Sequence, residues 1–170
     1  NQEAARFYQD GLASEEGRTG REYLAERGVD APTSEAFQIG LSPRGRDRLK
    51  GHLSSLGFNL DHAVEAGLLH RGEDGSLRDF FWGRLMFPIH DRRGRVAGFG
   101  ARSMDGSDPK YINTASTRVF NKQGILYGLH KAAGPIREEG TAVVVEGYMD
   151  AMAAHQHGYP NVVASMGTAL

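Results

Sequence analysis

Two short runs rich in β-branched residues, Thr141 to Val145 and Asn161 to Ser165, flank a helix-like stretch from Tyr148 to His157. Runs this apolar suit strands buried on both faces, the usual condition of a parallel sheet. Parallel neighbours need a crossover connection, and the stretch between these two has the length of a single helix. The feature predicts a β-α-β unit, right-handed as such crossovers nearly always are. Two parallel strands do not make an independent domain. The sequence stops at Leu170, where a further helix is expected, so it reads as a piece cut inside its second domain.

The first of these strands runs directly into Glu146 and Gly147, and Asp150 follows in the first turn of the helix. In open parallel sheets, ligands bind beyond the carboxyl ends of the strands. Gly147 allows a tight turn and a close approach of backbone to a ligand. Two carboxylates beside a helix N-terminus are poor neighbours for phosphate unless a cation lies between them. Mg²⁺ takes carboxylate oxygens and substrate phosphates together, which points to metal-assisted phosphoryl or nucleotidyl transfer. Simpler roles stand beside this one. Asp150 could serve only the helix dipole, worth about 0.3–1 kcal/mol, and Glu146 could be a solvated loop residue.

The rest of the chain predicts an α+β protein. Residues 1–66 carry helix-like spacing, with helices near the N-terminus, from Ala31, from about Gly45 to Leu56 and after Leu60, and a short strand at Ile39 to Leu41. No chemistry is evident in this block. Residues 68–120 switch to strand period. Arg84 to His90 and Arg95 to Arg102 form a hairpin around Asp91 to Gly94, and Pro109 to Asn113 is extended. Pro88 lacks an N–H donor, which suits an edge strand or a bulge. A short helix over 125–133 is expected to close at Gly134-Pro135, with Arg137 to Gly140 as a charged linker. The proposed division is 1–140 and 141–170.

The net charge of −1 hides a strong asymmetry. Between Arg78 and Lys131 there are ten basic and four acidic residues, a surplus of six, which leaves the remainder seven negative. Such a surplus is the footprint of a polyanion or an ordinary solvated basic face. There is no cysteine, so disulfides and thiolate zinc sites are excluded, which fits a reducing cytoplasm. No run approaches the roughly 18 apolar residues of a spanning helix, and no signal peptide is visible.

Several smaller features have modest readings. Gly98 and Gly100 do not open a helix, so they are strand glycines set for close packing or backbone approach, not a dinucleotide fingerprint. His155 and His157 do not share a helix face. His90 reads as structural or solvated, and the turn at Arg92 to Arg95 as a solvated tip or a DNA contact. Gly167-Thr168 could touch phosphate. Tyr111 or Trp82 could stack on an unpaired base, although Phe81 and Trp82 could equally fill a core.

The segments "VVVEGYMD" and "VVASMGTAL" resemble the opening of the TOPRIM fold. The upstream "RLMFPIHDRRGRVAGFGAR", "DPKYINT" and "FNKQGILYGLHKA", with "FYQDGL", "YLAERGV", "EAFQIGLSP" and "AVEAGLL", are similar to bacterial DnaG-type DNA primases over nearly the whole chain. The resemblance implies a helical and antiparallel-sheet N-terminal subdomain followed by a truncated α/β TOPRIM unit. It implies a DNA-directed RNA polymerase that makes short RNA primers on single-stranded DNA from NTPs, in the bacterial cytoplasm at the replication fork and with no membrane association. Glu146 is then the catalytic acid and a ligand of Mg²⁺ or Mn²⁺, with the remaining ligands beyond Leu170, and Asp150 orients it or attracts metal. Arg84, Arg102, Lys110, Tyr111 and Lys122 match the basic ridge that faces template and nucleotide. Zinc would belong to an N-terminal domain and the replicative helicase would bind a C-terminal one, both absent here. The isolated piece is expected to bind nucleic acid weakly and to be inactive. Relatives commonly carry more arginines ahead of the "RLMFP" segment, where this chain has Phe80-Phe81-Trp82-Gly83; the resemblance then leaves more of that corner to Arg84. Two alternatives are a TOPRIM nuclease or topoisomerase piece and a non-catalytic DNA-binding module.

Overall fold

A computed structural model describes residues 1–117, 120 and 124–166. At its centre is an antiparallel sheet in the order β1 (Gly40–Ser42), β4 (Arg84–His90), β5 (Val96–Ser103), β6 (Tyr111–Asn113). β2 (Leu69–Arg71) and β3 (Leu77–Asp79) form a separate hairpin. Every residue of β4 is buried, because the sheet is the middle layer of the molecule. Side chains alternate across a strand, and β4 feeds two cores accordingly. Met86 joins Tyr8 of α1 (Gln2–Ala13), Leu49 and Leu53 of α4 (Arg48–Ser55), and Phe99 on one face. Leu85, Phe87 and Ile89 join Leu24 of α2 (Arg18–Glu26) and residues of the C-terminal unit on the other. α3 (Ala31–Ala36) and α5 (Leu60–Glu65) complete the helical block.

The C-terminal unit is the predicted β-α-β: β7 (Val143–Val145) and β8 (Val162–Ala164) pair in parallel around α7 (Tyr148–Gln156). It docks on the central sheet through Tyr148. That ring stacks on Phe87 with centroids 4.9 Å apart and meets Tyr127 edge-on at 4.8 Å. Its hydroxyl donates to Asn113 Oδ1 at 2.6 Å. The ring lies on the backbone of Gly100, where a Cβ would fall 2.4 Å from the Tyr148 hydroxyl. Gly98 is also close-packed, though less tightly, with a Cβ there falling 3.0 Å from the Phe120 ring. Both strand glycines are therefore close-packing positions.

Four expectations are corrected. The helix expected over 125–133 is α6, Leu129–Glu139. Tyr127 instead bridges Ala164 through two backbone hydrogen bonds, and Gly128, with φ of 80°, turns the chain into the helix. Gly134 and Pro135 lie inside α6, which ends at Gly140 with φ of 66°, so Arg137 to Glu139 are helix and not linker. Proline removes one i→i−4 bond, and burial of Ala132 holds the turn preceding it. β7 is not buried on both faces: Val143 and Val144 are exposed, since among the described residues β8 alone pairs with it. β8, held between β7 and Tyr127, is buried throughout. Finally, β4 is an interior strand and not an edge, while the alternative of a bulge near Pro88 agrees with the structure. Its Pro88 lies past the last residue paired with β1 and just before the register shift at Ile89/His90, where no ladder donor is needed.

His90 is buried and its Nε2–H donates to Gln38 Oε1, 2.9 Å away, while its ring lies 4.0 Å from that of His130. Burial pushes both imidazoles down to about 4, with Lys131 adding to the effect on His90 and the His90 ring itself on His130. The unfolded chain binds these protons near pH 6.5, so stability is intact above that value and is lost as pH falls towards 4. We expect the melting temperature to drop across this window, with each histidine contributing up to about tenfold in the folding equilibrium per pH unit. His90→Leu should flatten that pH profile. A second prediction concerns the docking ring: Gly100→Ala should destabilise by about 1–3 kcal/mol in urea unfolding by displacing Tyr148. Gly51→Ala, on α4 with open space at its Cβ, should stabilise by about 0.5–1 kcal/mol.

Candidate functional site

The strand end predicted to carry chemistry is a short turn. Val145 O accepts from Ser165 N–H at 2.9 Å, which carries the parallel ladder to the last residue of β7. Glu146 and Gly147 leave the strand, and α7 begins at Tyr148. Glu146 and Asp150 are exposed, on the turn and the first helical turn. At Gly147 a Cβ would lie 2.9 Å from Asp150 Oδ2, so the missing side chain leaves room for that carboxylate beside the turn. Between the two acids, Tyr148 enters the core and anchors the turn to β6 through Asn113.

Glu146 and Asp150 open on a cleft of about 390 Å³ that they share with Lys110, Tyr111 and Asn113. The basic sheet and the acidic strand end, some 35 residues apart in sequence, thus face one cavity. Lys110 is exposed and makes no ion pair among the described residues. Tyr111 is 42% exposed, and partial burial, followed by the neighbouring Tyr23, raises its phenol above the ordinary range. It stays neutral at physiological pH.

The other predicted basic residues are placed differently. Arg102 lies with its guanidinium 4.0 Å from the Tyr23 ring centre and 6.0 Å from that of Tyr111, and it faces a neighbouring cleft of about 410 Å³ that also contains Tyr23 and Lys110. Arg84 is buried, and its guanidinium donates to Pro109 O at 3.0 Å. It braces the segment that carries Lys110 from beneath. Lys122 and Gly167-Thr168 lie outside the described residues. Trp82 and the turn at Arg92 to Arg95 are remote from the acids in the sense that neither lines their cleft; Arg95 is paired with Asp91 at 2.7 Å in an exposed hairpin tip. His155 is occupied with Val162 O at 2.8 Å.

Two lining residues come from the helical block in which no chemistry was evident: Tyr23 and Arg27, at the end of α2. The Arg27 guanidinium lies 5.3 Å from the Tyr23 ring centre. Their spacing is that of any amphipathic helix end, and only the packing of α2 beside β5 and β6 brings them to the acids. Asn113 was likewise visible only as part of an extended segment.

Two carboxylates on one open cleft suit a hard divalent cation, which takes oxygen ligands. Among the described residues no three of His, Cys, Asp and Glu are grouped as a complete ligand set, so Glu146 and Asp150 supply at most part of one. No helix among them is long and apolar enough to cross a membrane.

Comparison with known proteins agrees with this arrangement. Residues 7–133 match the DNA primase catalytic core, N-terminal domain, and residues 140–170 match the Toprim domain. The DNA primase of Deinococcus radiodurans is 47% identical over 150 residues, covering 88% of this chain, and that of Streptomyces coelicolor 44% identical, covering 98%. The chain spans about a quarter, 26%, of the length of either relative. The RNA polymerase domain of Mycobacterium tuberculosis primase DnaG, in complex with a double-stranded DNA oligomer with a 6-nucleotide overhang, superposes on all of this chain and 54% of its own, at 41% identity and a TM-score of 0.95. The alternative of a topoisomerase or nuclease piece falls on the residues ahead of the Toprim match, which belong to primase. This chain is a member of the bacterial DnaG-type DNA primase family, spanning the N-terminal part of the catalytic core and the opening of its Toprim domain.

Proposed function

We propose that the chain forms part of the active centre of a DNA-directed RNA polymerase that builds short RNA primers on single-stranded DNA from NTPs. The observation that carries the reading is the shared cleft, in which Glu146 and Asp150 face Lys110 and Tyr111. A polymerase must hold an anionic chain and a triphosphate beside carboxylates that would otherwise repel them. A divalent cation, Mg²⁺ or Mn²⁺, bound at Glu146 would polarise phosphoryl oxygens and neutralise the charge that develops there. Glu146 supplies an oxygen ligand or accepts the proton of the attacking 3′-hydroxyl. Asp150, one helical turn on, orients that site or draws metal towards it.

The basic residues then divide their work. Lys110 and Arg27 are placed to neutralise phosphates, and Tyr111 offers a half-open ring to a base. Arg102, held between two tyrosine rings, lends positive potential without freedom to move. Arg84 sets the height of the 108–110 segment. Lys122 is assigned to nucleic acid or NTP by family resemblance. The division of the chain into a subdomain over 1–140 and a Toprim opening over 141–170 belongs to the same proposal, supported by the separate family matches.

Two tests follow. Fluorescence anisotropy with labelled single-stranded DNA should show binding that falls steeply with salt. Lys110→Ala should weaken it and reduce the log–log salt slope by about 0.7, the release expected for one phosphate contact on a single strand. A slope unchanged in the variant would remove Lys110 from the interface. In the primase that carries this chain, Glu146→Gln should lower the rate of primer synthesis by about a hundredfold or more with template affinity unaltered. Loss of template binding instead would assign Glu146 a structural role.

A further inference from the structure

Helix α7 carries an acid of the cleft at one end and a second attachment at the other. Asp150 stands in its first turn and Gln156 is its last residue, about 9 Å further along the axis. The Gln156 side chain reaches out of its own unit to the loop between α2 and α3. Its Nε2 donates to Gly28 O at 2.8 Å, and its Oε1 accepts from Asp30 N–H at 2.9 Å. A glutamine amide has one donor end and one acceptor end. Here both are spent on main-chain partners 128 and 126 residues away in sequence.

That loop is firm because the helices on both sides of it are capped. Gly28, with φ of 74°, ends α2: its N–H donates to Ala25 O, and Val29 N–H donates to Leu24 O at 2.9 Å. The two bonds close the last turn of α2 around a left-handed glycine. Asp30 caps α3, its carboxylate accepting from Thr33 N–H at 2.8 Å. Between them, Val29 is buried in the same core as Ala151 and Met152 of α7. Arg27, the residue just before Gly28, lines the cleft together with Glu146 and Asp150, and it makes no ion pair among the described residues.

α7 is thus fastened to the N-terminal subdomain at both ends. Tyr148 ties the acidic turn to β6, and Gln156 ties the far end of the helix to the end of α2. The apolar packing of Ala151 and Met152 between these points is non-directional. The paired amide bonds supply direction, and they do so one residue from Arg27. Neither Gln156 nor residues 28–30 line the cleft, so a change at Gln156 removes no contact with a ligand there.

We propose that Gln156 is a positioning residue, which holds Arg27 at the distance from Glu146 and Asp150 that suits a phosphate-bearing ligand. The inference rests on the polymerase reading for that ligand, an NTP or a nucleic-acid strand, and it assigns Gln156 an effect only through Arg27.

The test uses the primase that carries this chain. KM for NTP is measured in primer synthesis, and Kd for labelled oligo-dT by anisotropy. Arg27→Ala identifies the constant that Arg27 governs: a raised KM assigns its phosphate to NTP, a raised Kd to the strand. Gln156→Ala should raise the same constant about threefold and leave kcat unaltered. Gln156→Met, which keeps the side-chain length without the polar ends, should match it, and serves in its place if the alanine variant melts early. Combined with Arg27→Ala, either substitution should have no further effect, because its route to the ligand is gone. A loss that adds to that of Arg27→Ala, or a fall in kcat with KM and Kd unmoved, would overturn the inference and make Gln156 a support of the fold alone. Constants unchanged in Gln156→Ala, or in Arg27→Ala, would overturn it as well. In each of these cases a fall in primer synthesis in Glu146→Gln leaves the polymerase reading standing. Full primer synthesis in Glu146→Gln would overturn that reading and this inference with it.

Discussion

The contact of the Tyr148 ring with the bare backbone of Gly100 is the junction on which the site depends. The ring can lie there only because β5 has no side chain at that position. Once seated, it stacks on Phe87, meets Tyr127 and places its hydroxyl on Asn113. Tyr148 also stands between Glu146 and Asp150 in the sequence, as the first residue of α7. One side chain thus fixes the acidic turn against the strand that leads from Lys110 and Tyr111. Burial raises its phenol well above the ordinary range, so the donor to Asn113 is retained at any physiological pH. The geometry of opposite charges across the cleft follows from apolar packing beneath it, not from attraction between the charges, which are exposed and screened.

The same logic operates at the start of α4. Asp79 is buried, and burial pushes its carboxyl up while bonds from the first N–H groups of α4 pull it down. A charge out of water is tolerated because a helix N-terminus surrounds it with donors. In exchange, the loop carrying Arg44 and Arg46 is held to β3 by its backbone. Positions that present charge to solvent are set by groups that solvent does not reach.

Much of this was legible in the sequence, and the parts that were not share a cause. The β-α-β unit, the central hairpin and the acids at a strand end follow from local period and from the rule for parallel sheets. Gly98 and Gly100 were readable as close-packing positions, though not what packs on them. The start of α6 was misplaced because Gly134-Pro135 is a strong local stop signal that tertiary packing overrides, while the turn at Gly128 depends on Tyr127 pairing with Ala164, over 30 residues away. β7 reads as fully buried because its composition reflects a sheet interior, whereas its burial among the described residues reflects one neighbour. Tyr23 and Arg27 carry no local mark at all. Their place in the cleft is a product of how α2 packs.

Charge shows the limit most sharply. The surplus of six between Arg78 and Lys131 suggested one basic face. In three dimensions Arg84 is buried beneath Pro109, Arg95 is bound to Asp91, and Arg102 is held between tyrosines. Lys110 is left as an open cation at the cleft. Meanwhile Arg27, from the block whose net charge is negative, lines the same cleft. A strand sends alternate side chains to opposite faces, so a run of basic residues in a sheet divides between core, brace and surface. What an anionic strand meets is the sum over elements that converge on one cleft, and that sum is written in the packing of α2, β6 and the start of α7, not in any contiguous segment.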